Sequence, residues 1–312
     1  MSRPTTRDAA NERQHGSPTL QVEPLDHGFG ATVMGLDLRA PIASDQVQGL
    51  HAAWARHAVL VFPDQCLSPV ELEAFTLALG AFGEDPFIEP MPGHPNILEI
   101  RREAEETVQN FGAAWHSDWS FQPCPPAGTI LHAKVVPPVG GDTLYADTAR
   151  AYLALSPTMR RMLDGLQAIH SASFAYGPRG VLARDADKRT IKVVVSEEAE
   201  KTERHPLVRT HPVSGRKSIF VNPVYTVAIE GLAPAENFTL LTFLYDHMVK
   251  DEFVLRHRWQ KDMVVLWDNR CTMHFADGGY DGHLRVMHRT TLAGDRPNRG
   301  DRRTGAASDR GR

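Results

Sequence analysis

Hydrophobic spacing divides the chain into a few helices and a larger number of short strands. Ser68-Pro69-Val70-Glu71 combines a capping box with proline at the first helical position, and Leu72, Phe75 and Leu79 follow at helical spacing. Ser44 is placed to cap a helix with Val47, Leu50 and Trp54 on one face. Ser156-Pro157 opens another carrying Met159, Met162, Leu163 and Leu166. Pro234 begins one expected to bury Phe238, Leu241, Leu244 or Tyr245, and Met248. Strand-like runs fall at 58–62, 96–101, 129–136, 143–147, 206–211, 218–222, 263–268 and 287–292. Pro137-Pro138, Gly140-Gly141-Asp142, Ser214-Gly215-Arg216 and Gly278-Gly279 punctuate them. No strand–helix alternation of the doubly wound kind runs through the chain. The pattern predicts a mainly β fold with flanking helices, a sandwich or jelly roll.

Composition sharpens this picture at the ends. Residues 1–18 and 296–312 are rich in Arg, Asp, Gly, Ser and Pro and poor in large apolar side chains, so both read as disordered tails around a single domain at 19–295. With 42% apolar residues in 312, that domain can bury a full core. A net charge of −4 gives no reason to expect nucleic acid as a partner. Three widely spaced cysteines, Cys66, Cys124 and Cys271, argue against a disulfide framework and for a reducing cytoplasm. No run approaches the ~18 apolar residues of a spanning helix, so no membrane association is expected.

The chemistry concentrates in Trp115-His116-Ser117-Asp118-Trp119. If this stretch is extended, strand alternation puts His116 and Asp118 on one face, where an imidazole and a carboxylate can chelate one metal. A second histidine would complete a 2-His-1-carboxylate triad with open positions for an oxidisable cosubstrate and O₂. Composition alone predicts roughly two H-x-D/E matches by chance, so the motif by itself is equally well a surface histidine beside a solvated acid. Further along, the buried-strand run 264–269 leads directly into Cys271-Thr272-Met273-His274, and Arg285 and Arg289 follow four apart near a final strand. Residues four apart in a strand share a face, and guanidinium forks pair bidentately with carboxylates. His132 reads as a satisfied core histidine and Cys271 as a small apolar filler. Trp267-Asp268-Asn269-Arg270 reads as the structure that fixes the strand before His274.

WHSDWSF, GGDTLYAD, WDNRCTMHFA and RVMHRTTLAGD, in this order and spacing, resemble the TauD/TfdA family of Fe(II)/2-oxoglutarate-dependent dioxygenases over residues 20 to 295. The resemblance implies a distorted double-stranded β-helix with His116, Asp118 and His274 as iron ligands. It implies that Thr143 and Arg285 bind the distal carboxylate of 2-oxoglutarate, and that Arg289 faces an anionic group of the substrate. The implied reaction uses Fe(II), 2-oxoglutarate and O₂ to hydroxylate an aliphatic C–H of a small carboxylate, sulfonate, sulfate or phosphonate, releasing succinate and CO₂. Homodimers or homotetramers are the implied assemblies. Gly112 stands where taurine-type members carry Asn, and 82–92 offers Phe87, Ile88, Glu89 and Met91 in place of their substrate-binding His and Tyr, which speaks for a larger or more apolar acid. Two other readings use the same residues: a zinc hydrolase on the same ligands, and a non-catalytic jelly roll that binds a small acid or a metal.

Overall fold

The structure, a computed structural model, describes residues 20–300. The expected tail at 1–18 and most of that at 296–312 lie outside the described residues. In chain order the elements are β1 (Gln21–Pro24), β2 (Ala31–Met34), α1 (Ser44–His57), β3 (Val59–Phe62), α2 (Pro69–Leu79), β4 (Leu98–Arg102), β5 (Gly128–Val135) and β6 (Thr143–Asp147). Then come α3 (Thr148–Ala154), α4 (Pro157–Leu163), β7 (Gln167–Ser171), α5 (Ser173–Tyr176), β8 (Thr202–Pro206), β9 (Val208–Thr210) and β10 (Lys217–Ile219). The last are β11 (Thr226–Ile229), α6 (Pro234–Met248), β12 (Val254–His257), β13 (Val264–Asp268), β14 (Thr272–Ala276) and β15 (Arg285–Leu292).

Seven strands form the main sheet in the order β1-β2-β3-β13-β5-β15-β4, antiparallel except where β2 meets β3. A smaller antiparallel sheet, β12-β6-β14, lies against it, and β11-β7-β8 and β10-β9 make two further sheets. Period-two alternation sorts the main sheet's side chains onto two faces. Leu60, Phe62, Ile130, Val264 and Leu266 pack against Leu50 and Trp54 of α1 and Leu72 and Phe75 of α2. Val59, Val61, Leu131, Val265, Trp267 and Met287 point the other way and meet Tyr145 of β6. The polar residues of interest open from this second layer.

Most predicted elements are present, with shifted ends. α2 begins on the Ser68 capping box, with Glu71 bonded back to Ser68. α1 is capped one residue earlier than expected, at Ala43, whose N–H donates to the Gln46 side chain. α6 buries Leu241, Leu244 and Met248, but Phe238 stands 73% exposed on its outer face. Within the run 206–211 lies β9 alone, and β8 precedes it, ending at Pro206. Thr210 donates its N–H to the Asn298 carbonyl and its hydroxyl to the Arg299 carbonyl, so residues through 300 lie along β9. Among the described residues no helix is long and apolar enough to cross a membrane.

Candidate metal centre

The segment around His116 is not the strand that the alternation argument assumed. His116 forms one isolated antiparallel bridge to His274 of β14, with both backbone N–H groups donating to the opposite carbonyls at 3.0 and 2.8 Å. The chain then turns at once, and Trp119 adopts a φ of 44°. The bridge, rather than strand alternation, brings the two histidines together, with ring centroids 4.2 Å apart. The turn that follows swings Asp118 back beside them. Its Oδ1 lies 3.7 Å from His116 Nε2 and 3.9 Å from His274 Nε2. These separations are too long for hydrogen bonds and suit donor atoms gathered around a common centre.

All three side chains are buried and hold the protonation states a metal requires. Burial pushes His274 down to about 3 and lowers His116 as well, so both imidazoles are neutral. His116 Nδ1 sits 2.7 Å from the Ala114 carbonyl and donates to it, which leaves Nε2 as the free lone pair. Burial alone would raise Asp118, but the Arg289 guanidinium and the two imidazoles outweigh it and hold the carboxyl at about 2. Two neutral imidazoles and one carboxylate with open positions form the donor set of a non-haem iron(II) oxygenase, and the residues present fit that ion.

Asp118 is also locked from behind. Thr129 of β5 donates its hydroxyl to Oδ2 at 2.6 Å, and Asn269 Nδ2 donates to that hydroxyl at 2.9 Å. Asn269 Oδ1 accepts from the Asp118 N–H at 3.3 Å and from Trp267 Nε1 at 3.0 Å. The hydrogen bonds close a ring that ties up Oδ2 and leaves Oδ1 to face the histidines. The expectation that 267–270 fixes the approach to His274 thus has a specific form. Asp268 bonds Arg270 bidentately and accepts from His211 Nε2 at 2.9 Å. His211, Asp268 and Cys271 form a second buried group with metal-like spacing. Both His211 nitrogens are already in use, because Nδ1 accepts from the Val213 and Ser214 N–H groups. That cluster is therefore structural.

A small inner cavity of about 50 Å³ opens beside the triad, lined in part by Thr143, Arg285 and Arg289. β15 presents both arginines to it, as their spacing implied. Thr143 Oγ1 accepts from Trp259 Nε1 at 2.9 Å, which leaves its own proton to donate. Arg285 is buried, reaches only the Gly141 carbonyl at 3.4 Å, and has no carboxylate at ion-pair distance among the described residues. Burial with no acid in reach lowers its pKa. The Gly140-Gly141 turn makes this approach available: both residues have positive φ, and a Cβ on Gly140 would lie 2.5 Å from the Gly279 carbonyl.

Arg289 differs in kind. It pairs with Asp85 at 2.9 Å and with Asp118 at 3.4 Å, stacks over Trp119, and leaves only Nε without a partner. Asp85, which sequence reasoning did not single out, also accepts from Trp119 Nε1 and from Thr291. The other residues considered in that loop face elsewhere. Phe87 and Ile88 join the apolar cluster under Trp119 and Tyr176, and Glu89 is exposed. His132 is fully buried outside the triad, with Asp262 Oδ1 3.9 Å from its Nε2.

An outer cavity of about 250 Å³ shares Phe111, Gly112 and His116 with the inner one. Its walls include Phe174, Tyr176, Val224 and Tyr225, with Arg184 and Arg189 among them.

These features bring together a donor set that could hold one metal ion and an arginine-lined pocket beside it, an arrangement of the kind found in non-haem iron oxygenases. The model of the family described as taurine catabolism dioxygenase TauD, TfdA family, matches residues 21–291. The chain is 33% identical to an alpha-ketoglutarate-dependent sulfate ester dioxygenase of Pseudomonas putida, over 89% of this chain and 91% of that one. It is 37% identical to the alpha-ketoglutarate-dependent 2,4-dichlorophenoxyacetate dioxygenase of Cupriavidus pinatubonensis, over 82% and 91%. Among solved structures, AAD-2 in complex with Mn(II) and N-oxalylglycine superposes with a TM-score of 0.72 at 32% identity, covering 89% of this chain and 99% of that one. The chain belongs to the TauD/TfdA family. It is an alpha-ketoglutarate-dependent dioxygenase that uses Fe(II), 2-oxoglutarate and O₂.

Proposed function

We propose that this chain hydroxylates an aliphatic C–H of a small anionic substrate (a carboxylate, sulfonate, sulfate or phosphonate), with His116, Asp118 and His274 as the iron ligands. When bound, the iron couples O₂ to the oxidative decarboxylation of 2-oxoglutarate, giving succinate, CO₂ and one hydroxyl group on the substrate. The remaining work belongs to the protein. Arg285 and Thr143 hold the far carboxylate of the cosubstrate, one by charge and one by its free hydroxyl proton. The Thr129–Asn269 ring engages Asp118 Oδ2, so Oδ1 is the oxygen that would be offered to the metal. Trp267, Ile100 and Leu131 give the inner cavity apolar walls that exclude bulk water. The single observation that carries this reading is the unpaired, buried Arg285 beside three converging ligand atoms. A zinc hydrolase on the same ligands has no use for it.

Arg289, expected at the substrate's anionic group, acts in our reading mainly through Asp118. Its charge is matched by Asp85 and Asp118, and it retains one N–H for the bound ligand. The main sheet and β12-β6-β14, facing each other across the site, fit the halves of a distorted double-stranded β-helix. Three free cysteines fit a reducing cytoplasm.

The test is succinate release from 2-oxoglutarate with Fe(II), ascorbate and O₂, across sulfonates, alkyl sulfates, aryloxyalkanoates, phosphonates and amino acids. Iron-dependent succinate that rises with one chemical class is the expected result. Absence of iron-dependent succinate under every condition refutes the proposal.

A further inference from the structure

We infer that Tyr280 is the positioning residue for Arg285, and that through it the chain sets the length of the 2-oxo diacid it accepts. The inference rests on the reading above, in which Arg285 holds the far carboxylate of the cosubstrate, and adds what holds Arg285 in turn.

Arg285 does not stand alone on its sheet. β15 pairs with β4 so that Arg285 and Arg102 are direct cross-strand partners, and both are buried. Like charges opposite one another on a sheet repel, so the pair needs an acid or an aromatic face beside it. The loop 277–284 supplies both. Asp281 pairs with Arg102 Nη2 at 2.8 Å, although its own side chain is 85% exposed. The buried ring of Tyr280 has its centroid 4.9 Å from the Arg102 guanidinium carbon and 5.8 Å from that of Arg285, within cation–π reach of each. Arg102 thus has an acid and the ring. Among the described residues Arg285 has the ring and the Gly141 carbonyl but no acid, so its charge stays available to a ligand.

The ring is itself fixed from two sides. Before it, Asp277 donates its N–H to the Asp142 carbonyl at 2.8 Å, and the Gly278 carbonyl accepts the Gly141 N–H at 2.9 Å. These bonds clasp the loop to the segment that leads into Thr143. After it, the Arg102–Asp281 pair ties the loop to β4. Gly141 packs close to both ring and guanidinium: a Cβ there would lie 3.4 Å from Tyr280 Cδ1 and 3.3 Å from Arg285 Nε.

This packing has a consequence for chain length. Arg285 lines the inner cavity and also a second void of about 10 Å³, which Arg102 and Tyr280 line as well. A void of that size admits about one water, so the guanidinium has no room to retreat while the ring is in place. A cosubstrate held at both ends must fit the distance to this guanidinium. One methylene more than 2-oxoglutarate is therefore resisted, and removing the ring relaxes that limit.

The experiment is anaerobic calorimetry of the Fe(II)-loaded protein with 2-oxoglutarate, the longer 2-oxoadipate, and pyruvate, which has no far carboxylate. Wild type is compared with Tyr280→Leu, Tyr280→Phe, Arg285→Met and the Tyr280→Leu/Arg285→Met double variant. In Tyr280→Leu the dissociation constant for 2-oxoglutarate is expected to rise several-fold, up to about 30-fold, as loss of one cation–π contact implies. Pyruvate binding stays unchanged, the preference for 2-oxoglutarate over 2-oxoadipate narrows, and Tyr280→Phe restores wild-type values. Added to Arg285→Met, the Leu substitution costs nothing further, because Tyr280 acts through that arginine. Thermal melting monitors folding, and Tyr280→Met replaces the Leu variant if that one does not fold. A 2-oxoglutarate constant within twofold of wild type, an equal loss for pyruvate, an unchanged preference over 2-oxoadipate, or full additivity in the double variant overturns the role of Tyr280. Arg285→Met binding 2-oxoglutarate as tightly as wild type overturns instead the reading beneath it.

Discussion

Thr129→Val tests whether the ring behind Asp118 tunes the metal site or merely fills space. The substitution keeps the branched shape on β5 and removes one oxygen. It deletes the 2.6 Å bond to Asp118 Oδ2, a hydrogen bond to a charged acceptor worth about 1.5–3 kcal/mol. It also strands Asn269 Nδ2, whose residue is 2% exposed, at a cost of about 1–3 kcal/mol. Asp118 then has both oxygens free to rotate toward the histidines. Loss of an outer hydrogen bond to a ligand weakens metal binding by about 10- to 100-fold. The assay is Mn(II) titration of the metal-free protein followed by the paramagnetic signal of the free ion, with thermal melting alongside. We expect a dissociation constant raised within that range, a lowered melting temperature, and recovery of metal affinity in Thr129→Ser. A melting temperature that falls while the Mn(II) constant stays within twofold of wild type refutes the reasoning, since the ring would then support the fold and nothing else.

Other expectations concern the cosubstrate, acid stability and the thiols. Arg285→Met should raise the KM for 2-oxoglutarate by about 100-fold or more, and Thr143→Val by about 5- to 10-fold, in succinate assays, because a buried ion pair exceeds one neutral hydrogen bond. Burial lowers His170 to about 3 and His205 to about 4, and their rings pack together at 5.4 Å. Their folded-state values lie below the unfolded value near 6.5, so the unfolded chain binds more protons between those limits and stability falls as pH drops through that window. At pH 5 each contributes at most about 2 kcal/mol of that loss, and denaturant midpoints measured between pH 7 and 5 will show it; midpoints independent of pH would contradict the assignment. Cys66 and Cys124 are exposed and Cys271 is buried with its thiol raised by burial. A thiol reagent should therefore modify two cysteines in the native protein and the third only after unfolding.

The sequence displays the parts of this site better than their arrangement. His116, Asp118, His274, Thr143, Arg285 and Arg289 were all identifiable, and the structure brings them to one cavity system. The reason offered for His116 and Asp118 was incomplete, because the decisive contact is a single bridge between residues 158 positions apart in sequence, followed by a turn. Local periodicity cannot report such pairing. Asp85 and Thr129 went unnoticed for a similar reason: an aspartate before a proline reads as a turn residue, and a threonine in an apolar run reads as strand. Their roles exist only once β5, β13 and β15 are neighbours. Strands β1, β2, β7, β11, β12 and β14 were also missed, all of them five residues or shorter. Phe238 shows the limit of helical spacing, since a position at i−3 from Leu241 fell just outside the buried stripe.

Arg289 illustrates why residue type and position leave a role open. Spacing from His274 and placement on β15 suit a residue that meets the substrate's anion, yet its two nearest acids determine what it does. With Asp85 and Asp118 beside it, the guanidinium keeps Asp118 ionised without a metal and holds it in place through a second, non-ligand carboxylate. The neutral histidines complete a triad already in its metal-binding protonation state, so the site requires little proton release or rearrangement to fill. Arg285, four residues earlier on the same strand and without an acid, is left as the inner cation with charge to offer. One strand face thus supplies two arginines of identical chemistry with different surroundings, and the difference is set by Asp118 and by Asp85, which lies in a loop about 200 residues away in sequence.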